Sequence, residues 1–448
     1  MERKRGTSTR SGTAGSAAIS PTIHPGQTSR LVTRSPIYYG WIILAAAMVG
    51  RVMTSPGQTY SVSIFIEHFI SDLGLSRSLV STLYTIGTLT ASLALPYVGR
   101  QIDRRGPRVM VGIVAALLAV ACVYMGLVQN AIMLGIGFVL IRLLGQGSLE
   151  MVSTNTVNRW WVRRRGTVLG IAGVSFALLG SGLFPSLIHT LIRNFGWRTS
   201  YMLLGLLVAS VMLPVGLVFF RRQPEDFGLL PDGAQIEPGA TPTAPVVVEE
   251  HWTSAEAVRT RAFWVISLGL ASIAMLSTGL IFHAVSIFQD GGLSAEVAAV
   301  AFVPLSLTSA LVTLGSGVLV DRVPVRHLLC GALFFQAISL LVAPHLQAGP
   351  MVLMYGILVG ITLGLQATVS STVWAMYFGR QHLGSITGIA SLVMIAGSAL
   401  GPMPMGIARD LLGSYTLTLS VAAALPMILG ILALTIRRPQ RQKDAETA

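Results

Sequence analysis

Charged side chains and cysteines are scarce in this sequence. Charged residues are 11% of its 448 positions, and no lysine stands between Lys4 and Lys443, while hydrophobic residues are 52% and the mean hydropathy is +0.69. So little charge cannot cover the surface of a water-soluble protein of this length, which excludes that class. The two cysteines, Cys122 and Cys330, stand apart inside apolar runs. They exclude a disulfide framework and do not make a metal site.

Sequence motifs for common enzyme chemistry are missing as well. A Walker-type phosphate loop needs a Gly-Lys-Ser/Thr triplet, and neither lysine lies in one. The zincin pattern H-E-x-x-H and the hydrolase elbow G-x-S-x-G do not occur. We therefore expect no enzymatic activity, no cofactor and no metal.

Apolar runs long enough to cross a bilayer occupy most of the chain. A helix of about 20 apolar residues spans the ~30 Å hydrocarbon layer. Twelve such runs, numbered helix 1 to helix 12, are predicted at residues 40–62, 79–99, 108–128, 133–156, 166–190, 199–220, 262–287, 296–320, 326–346, 350–375, 384–407 and 415–437. The sequence thus predicts an all-α membrane protein with twelve transmembrane helices.

The net charge of +13 lies mainly in alternate loops. The basic segments are loop 2–3 with Arg100, Arg104, Arg105 and Arg108, loop 4–5 with Arg159, Arg163, Arg164 and Arg165, loop 8–9 with Arg322 and Arg326, and the C-terminal tail. Because basic loops stay on the cytoplasmic side, both termini and the central loop are predicted to be cytoplasmic. The charge is thereby explained by topology, and nucleic acid is not an expected partner.

The chain contains an internal duplication with an offset of 218 residues. Gly99 to Arg108 returns as Gly317 to Arg326, with the Gly, the Asp and two Arg in register. Gly166 to Gly170 returns independently as Gly384 to Gly388. Parallel repeats of this kind build one class of secondary transporter. The predicted domains are a disordered tail at 1–37, a six-helix bundle at 38–220, a central loop at 221–260, a second six-helix bundle at 261–438 and a tail at 439–448.

At these residues the chain resembles the major facilitator superfamily, whose signature after the second helix is G-x-x-x-D-R-x-G-x-R/K. The first copy matches it fully and the second lacks the central Gly, while Arg142 to Gly147 matches a further family pattern, R-x-x-x-Q-G. The resemblance covers residues 38–438 and implies alternating access between two bundles. At Asp103 it favours a charge lock that opens as the bundles rock, over a plain cytoplasmic turn. The gating set that it implies is Gly99, Asp103, Arg104, Gly317, Asp321 and Arg322.

Helix 1 carries polar residues in its middle. Arg51 and Gln58 are two turns apart and lie on nearly the same face. Pro56 and Gly57 between them free backbone groups, which is tolerated only beside neighbouring helices or a water-filled cavity. We expect this face to look inward.

Helix 4 carries Arg142, Gln146 and Glu150 at intervals of four, with Glu150 towards the inner end. A charge in hydrocarbon is costly and needs a partner. The set is therefore either a structural pair or a site that attracts an anion or responds to a proton.

The second half carries His283 late in helix 7 and Gln366 in helix 10. Val62 to Phe65 resembles Val285 to Phe288, which places His283 opposite Tyr60 in the repeat. A lone histidine is either a hydrogen-bonded structural residue or a group that couples transport to protons.

Two further segments, Tyr38 to Trp41 and Pro224 to Gly233, resemble bacterial members of the oxalate/formate and monocarboxylate carrier branch. That resemblance implies a small organic anion, moved by proton symport or exchange across the bacterial inner membrane. The chain departs from the branch at Thr59, Ser309 and Thr313, where such carriers often have Lys, Asp and Arg, and helix 11 lacks a lysine. The usual anion site of the branch is therefore absent.

Three functions follow from these patterns. A carboxylate must recover its lost hydration from charge-assisted hydrogen bonds, which the interior arginines could supply. The first function is a secondary transporter of a small mono- or dicarboxylate, by proton symport or exchange. Its predicted residues are Arg51 as anion partner, Gln58, His283 and Gln366 as polar lining, and Arg142, Gln146 and Glu150 for proton or charge coupling. The alternatives are an exporter of a larger organic compound and a membrane sensor that binds without transport. We expect a monomer in the lipid bilayer.

Overall fold

The computed structural model describes residues 29–234, 250–347 and 349–440. In the first half these residues form helix 1 (Gly40–Val52 and Thr59–Leu73), helix 2 (Arg77–Arg105), helix 3 (Pro107–Gly126), helix 4 (Ala131–Ile141, Arg142–Leu149 and Glu150–Trp160), helix 5 (Arg165–Ser175, Phe176–Leu183 and 184–195) and helix 6 (197–219). In the second half they form helix 7 (Arg261–Phe282 and Ala284–Asp290), helix 8 (Ala295–Val320), helix 9 (Val325–Val342), helix 10 (Pro350–Phe378), helix 11 (Leu383–Leu400 and Pro402–Leu412) and helix 12 (Thr416–Ala422 and Ala424–Thr435).

Ten continuous helices within the described ranges are long and apolar enough to cross a membrane. One of them, Arg165–Phe219, contains both helix 5 and helix 6. Gly196, with φ 74°, turns the chain between these two helices. Helix 1 crosses in two shorter pieces. The predicted all-α architecture of twelve helices is confirmed.

Each half has a hydrophobic core of its own. Phe65, Phe69 and Phe138 are fully buried in the first half, and Phe263 and Phe378 in the second. Burying aromatic rings of this size contributes a large share of the packing free energy of a bundle. Most of each core is thus built from residues of its own half.

The charged turn between helix 2 and helix 3 is very short because of two residues. Gly106 adopts φ 80° and ends helix 2, a conformation that a residue with a Cβ rarely takes. Pro107 occupies the first position of helix 3, where its missing N–H is not needed. Helix 2 and helix 3 are therefore joined through Gly106 alone.

Helix 1 is interrupted between Val52 and Thr59. Ser55 to Gly57 form one 3-10 turn, and Gln58 is extended with φ −84° and ψ 151°. Pro56 lacks the N–H that an α-helix would use there, so backbone carbonyls at the break are left for side chains to bind. This interruption shapes the site described below.

The two halves contact each other at one end of the molecule. This end, called the basic end, contains the arginine-rich turns 2–3, 4–5 and 8–9 together with turn 10–11; the opposite end is called the far end. Helix 2 packs on helix 11 and helix 5 packs on helix 8. At Gly99 and Gly384 the backbones approach so closely that a Cβ on either residue would collide with the other's carbonyl. Small residues make this contact possible.

Several predicted boundaries are wrong in detail. Arg159 lies in the last turn of helix 4 and Arg165 opens helix 5, and both are buried rather than in a loop. The predicted central loop contains one helical turn, Ser254–Ala257, and the predicted N-terminal tail contains another, Arg30–Thr33. Residues 1–28 and 441–448 of the two predicted tails, and 235–249 of the central loop, lie outside the described residues.

Candidate functional site in the first half

Arg51 and Glu150 form an ion pair between helix 1 and helix 4. Arg51 Nε donates to Glu150 Oε1 at 2.8 Å, and the two side chains are 15% and 27% exposed. The second carboxylate oxygen, Oε2, is buried without a hydrogen-bond partner among the described residues. Sequence alone set these residues in separate groups, as anion partner and coupling charge, and the structure brings them together.

Phe176 covers another side of the same guanidinium. The Arg51 Cζ atom lies 5.2 Å from the centre of the Phe176 ring, a distance typical of cation–π contact. Tyr60 meets Phe176 edge to face at 6.2 Å, and its hydroxyl lies 2.8 Å from Ser55 Oγ at the helix 1 break. These three residues were not predicted from the sequence.

Two π-helical segments flank the ion pair. Arg142–Leu149 in helix 4 ends directly before Glu150, and Phe176–Leu183 in helix 5 begins at Phe176. A π-helical turn inserts an extra residue and rotates the side chains that follow it. The direction of Glu150 therefore depends on irregular helix geometry, which residue spacing does not reveal.

Arg142 holds the interruption of helix 1 in place. Its Nη1 donates to the Gly57 carbonyl and to Thr59 Oγ1, both at 3.2 Å, and its Nε donates to Thr88 Oγ1 at 3.1 Å. The guanidinium also lies 5.0 Å from the Tyr84 ring centre. Arg142 is buried, and its donors satisfy a carbonyl that the break would leave unpaired.

Gln58 and Gln146 are interior polar residues that form no hydrogen bond with Arg51 among the described residues. Gln58 is buried and donates through Nε2 to Thr54 Oγ1 at 3.0 Å. Gln146 lines a small cavity with Arg142 and Thr88, and its Oε1 is buried with no hydrogen-bond partner among the described residues. Both glutamines therefore contribute polarity to the interior beside the ion pair.

His283 lies at the interruption of helix 7 and contacts helices 11 and 12. Its Nε2 is 3.0 Å from the Pro402 carbonyl, and its Nδ1 is 3.1 Å from the Tyr415 hydroxyl. Because a carbonyl only accepts, Nε2 must carry the hydrogen. The Tyr415 hydroxyl is also within 3.2 Å of Ser286 Oγ, so it can turn from His283 to Ser286. Either protonation state of Nδ1 is thus satisfied.

The second half contributes hydroxyls and amides rather than charges to the middle of the bundle. Gln366 Nε2 makes a long contact of 3.4 Å with the Leu270 carbonyl, and Thr278 pairs with Ser398 at 2.8 Å. The sequence has no Asp, Glu, Lys or Arg from 262 to 289, from 327 to 379 or from 381 to 408. The charged centre therefore belongs to the first half.

Asp103 joins the halves at the basic end. Its carboxylate accepts from the backbone N–H groups of Gly384 and Ser385 at 2.9 and 2.7 Å, and from the Ser385 hydroxyl at 2.7 Å. Arg159 Nη2 adds a buried ion pair at 2.7 Å. A carboxylate at a helix N-terminus is stabilised by the unpaired N–H groups there.

Asp321 repeats this arrangement, but no arginine pairs with it in the part of the chain that the structure describes. Its carboxylate accepts from the Gly166 and Thr167 N–H groups at 2.7 and 2.9 Å and from the Thr167 hydroxyl at 2.7 Å. The two sequence repeats thus bind each other across the halves. Arg104 and Arg322, named in the gating set, are exposed, so the cation beside Asp103 is Arg159 instead.

Further hydrogen bonds strengthen the same end. Asn155 donates to Thr387 Oγ1 at 2.9 Å, and Asn158 donates to the Ser371 carbonyl at 2.8 Å. Arg380 binds Glu225 at 2.8 Å, which attaches the segment after helix 6 to the second half. Burial and the nearby Asp232 and Glu225 charges also raise the pKa of Tyr38 at this end. The basic end is closed.

Comparison with known proteins agrees with this architecture. The family model described as Major Facilitator Superfamily matches residues 41–344 and 272–448. The chain is 26% identical to the oxalate:formate antiporter of Oxalobacter formigenes over 257 residues, which is 57% of each protein. It is 23% identical to monocarboxylate transporter 13 of Rattus norvegicus over 423 residues, 90% of this chain and 92% of that one.

Two solved structures share the fold at low sequence identity. The human organic anion transporter MFSD10 (TETRAN) superposes with a TM-score of 0.61 at 15% identity, covering 89% of this chain and 100% of that one. The proton:xylose symporter XylE superposes with a TM-score of 0.64 at 14% identity, covering 89% and 96%. At such identity the likeness concerns the fold alone.

Proposed function

Because the chain belongs to the Major Facilitator Superfamily, we propose that it is a secondary active transporter whose substrate is a small organic anion, a mono- or dicarboxylate. Transport proceeds by alternating access and is coupled to protons or to exchange of a second anion. The similarity to carriers named for oxalate, formate and monocarboxylates supports this substrate class. The interior cation supplies the chemistry that such a substrate requires.

The observation that carries the proposal is the 2.8 Å contact of Arg51 Nε with Glu150 Oε1. A carboxylate already occupies the guanidinium, so a substrate carboxylate that binds Arg51 displaces Glu150. In the middle of the bundle a displaced carboxylate has lost its charge partner, and taking up a proton costs less free energy than remaining ionised. Binding of one anion then brings one proton, and the loaded site is neutral.

The other polar residues have supporting roles in this proposal. Gln58, His283 and Gln366 line the route, and Gln146 lies on the same helix as Glu150. Arg142 keeps helix 1 interrupted so that Arg51 and Gln58 can face the cleft. Asp103 and Asp321 act as gates at the basic end, which must separate for the substrate to leave there.

We assign the basic end to the cytoplasm of a bacterial inner membrane, because basic loops are retained on that side. Both termini then lie in the cytoplasm, and the closed basic end corresponds to a protein facing outward. We propose that a monomer suffices, since each half supplies one wall of the route.

Uptake into proteoliposomes tests this function. Labelled formate, lactate, oxalate and larger carboxylates are offered with and without an imposed pH gradient, in vesicles shown to contain folded protein. We expect saturable uptake of at least one acid, and a higher rate when the gradient is acid outside. Absence of saturable uptake for every acid would overturn the proposal.

Variants of the ion pair test the mechanism. Arg51→Ala should abolish acid uptake, and Glu150→Gln should retain saturable uptake but lose its dependence on the pH gradient. Asp72→Asn is the matched control, because Asp72 pairs with Arg198 at 2.9 Å on a solvated surface at the far end. Full acid uptake by Arg51→Ala would exclude Arg51 as the anion partner.

The two alternative functions give different results in the same vesicles. An exporter of a larger organic compound would move a weakly charged solute and leave the acids unbound. A sensor would bind an acid, seen as a rise in thermal stability, with no net flux. The partly exposed cation of Arg51 favours the anion transporter over both.

A further inference from the structure

Phe176 makes a contact with Arg51 that the ion pair does not require. Its ring centre is 5.2 Å from Arg51 Cζ, and the ring is half-buried. Tyr60 packs edge to face on that ring at 6.2 Å and is fixed in turn by its 2.8 Å contact with Ser55. Tyr60 and Ser55 therefore help to hold the ring in place beside the guanidinium.

The internal repeat shows that this arrangement is not part of the common bundle framework. With the offset of 223 that relates helices 1 and 7, Arg51 corresponds to Ala274. With the offset of 218, Glu150 and Phe176 correspond to Thr368 and Met394. The second half thus folds with the same topology and without the cation, the acid or the ring.

We propose that Phe176 is a positioning residue for transport, because its ring holds the Arg51 guanidinium in place while Glu150 and the substrate carboxylate exchange on it. This inference rests on the proposed function of Arg51. During the exchange the cation briefly lacks an anionic partner, and an arginine side chain has many rotamers to choose from. The face of an aromatic ring attracts a cation without competing for its N–H donors, so those donors stay available to the substrate.

Three substitutions of Phe176 test the proposal, because they should change the KM for the acid and the maximal rate of transport to different extents. Phe176→Leu keeps an apolar side chain of similar volume but removes the ring, and we expect its KM for the transported acid to rise about fivefold. The maximal rate should stay within about twofold, because saturating substrate restores the position of Arg51. Phe176→Tyr and Phe176→Trp should both keep the native KM within about twofold.

Phe334→Leu is the matched control, since its ring is 55% exposed on helix 9 and lies away from the ion pair. It should leave KM and maximal rate unchanged. An unchanged KM in Phe176→Leu would overturn the proposal. A KM raised equally by Leu, Tyr and Trp would overturn it as well, because tight packing alone would then explain the effect.

A double-mutant cycle tests the contact independently of transport. The apparent Tm is measured for Arg51→Gln, Phe176→Leu and the double variant in one detergent. We expect the loss of Tm in the double variant to be smaller than the sum of the two single losses, as for residues in contact. Additive losses would overturn the positioning role even if acids are transported. Conversely, coupled losses without acid uptake would contradict only the proposed substrate.

Discussion

Arg159 Nη2 lies 2.7 Å from Asp103 Oδ1, and the two side chains are only 3% and 8% exposed. The equivalent carboxylate of the repeat, Asp321, binds the N-terminus of helix 5 and pairs with no arginine among the described residues. One contact between the halves is thus an ion pair plus a helix terminus, and the other is a helix terminus alone. This asymmetry predicts unequal effects of the same substitution.

Asp103→Asn should destabilise the protein more than Asp321→Asn. Removing the Asp103 charge leaves the Arg159 guanidinium buried without its anion. This should lower the free energy of unfolding by about 3–5 kcal/mol. Asp321→Asn loses one charge-assisted hydrogen bond, which should lower the free energy of unfolding by about 1.5–3 kcal/mol. The apparent Tm of the two variants in the same detergent should therefore fall in that order. Equal losses of Tm would contradict the asymmetry.

Arg142→Lys should lower stability and uptake together. A lysine is a single point charge and cannot bind Thr88, Thr59 and the Gly57 carbonyl at once. An unsatisfied buried carbonyl costs about 1–3 kcal/mol, so the apparent Tm should fall and the uptake rate with it. Arg163→Lys, at an exposed position, is the control and should change neither. A native Tm in Arg142→Lys would show that the helix 1 break does not depend on the guanidinium.

His283 should hold its hydrogen on Nε2 when the ring is neutral. The Pro402 carbonyl at 3.0 Å accepts that hydrogen, and the Tyr415 hydroxyl donates to Nδ1. The tautomer can be measured by ¹⁵N NMR of histidine-labelled protein, with the His283 signals assigned by their loss in His283→Gln. Signals of an Nδ1–H ring would be incompatible with the contact to Pro402.

A monocarboxylate should compete for the site better than a dicarboxylate of the same length. The second half offers no charged side chain in the middle of its helices, and Arg142 is enclosed by its own partners. A second carboxylate would therefore lose its hydration without gaining a cation. Butyrate should inhibit uptake at least about tenfold more strongly than succinate, a difference of about 1.4 kcal/mol. Equal inhibition would point to a second cation in the route.

The order of the helices and the equivalence of the two repeats could be predicted from the sequence. Apolar length sets the number of crossings, and the 218-residue offset relates Asp103 to Asp321 and Gly166 to Gly384. What the offset could not give is that these repeats bind each other, Asp103 to helix 11 and Asp321 to helix 5. The offset shows which residues of the two repeats are equivalent, whereas contact depends on how the two bundles are placed face to face.

The partners of the interior charges illustrate the same division. A lone charge in hydrocarbon needs a partner, so the presence of Arg51, Arg142 and Glu150 already predicted buried pairs or a site. Their assignment required the tertiary structure, because helix 1 is interrupted between Arg51 and Thr59 and a π-helical segment separates Arg142 from Glu150, so ideal helix spacing does not give their relative directions. Phe176 had no sequence signal at all, since one aromatic residue in an apolar helix is ordinary.

Arg159 was misjudged for a related reason. A basic residue close to a predicted turn fits the positive-inside pattern, and hydropathy does not distinguish the last helical turn from the loop after it. By itself the sequence determined the membrane class, the twelve crossings, the duplication and the need for charge pairing, because these depend on length, hydropathy and periodicity. Only the tertiary structure decided that Arg51 meets Glu150 and Phe176, and that Asp103 meets Arg159, because charge pairing over 99 and 56 positions depends on how irregular helices turn and pack.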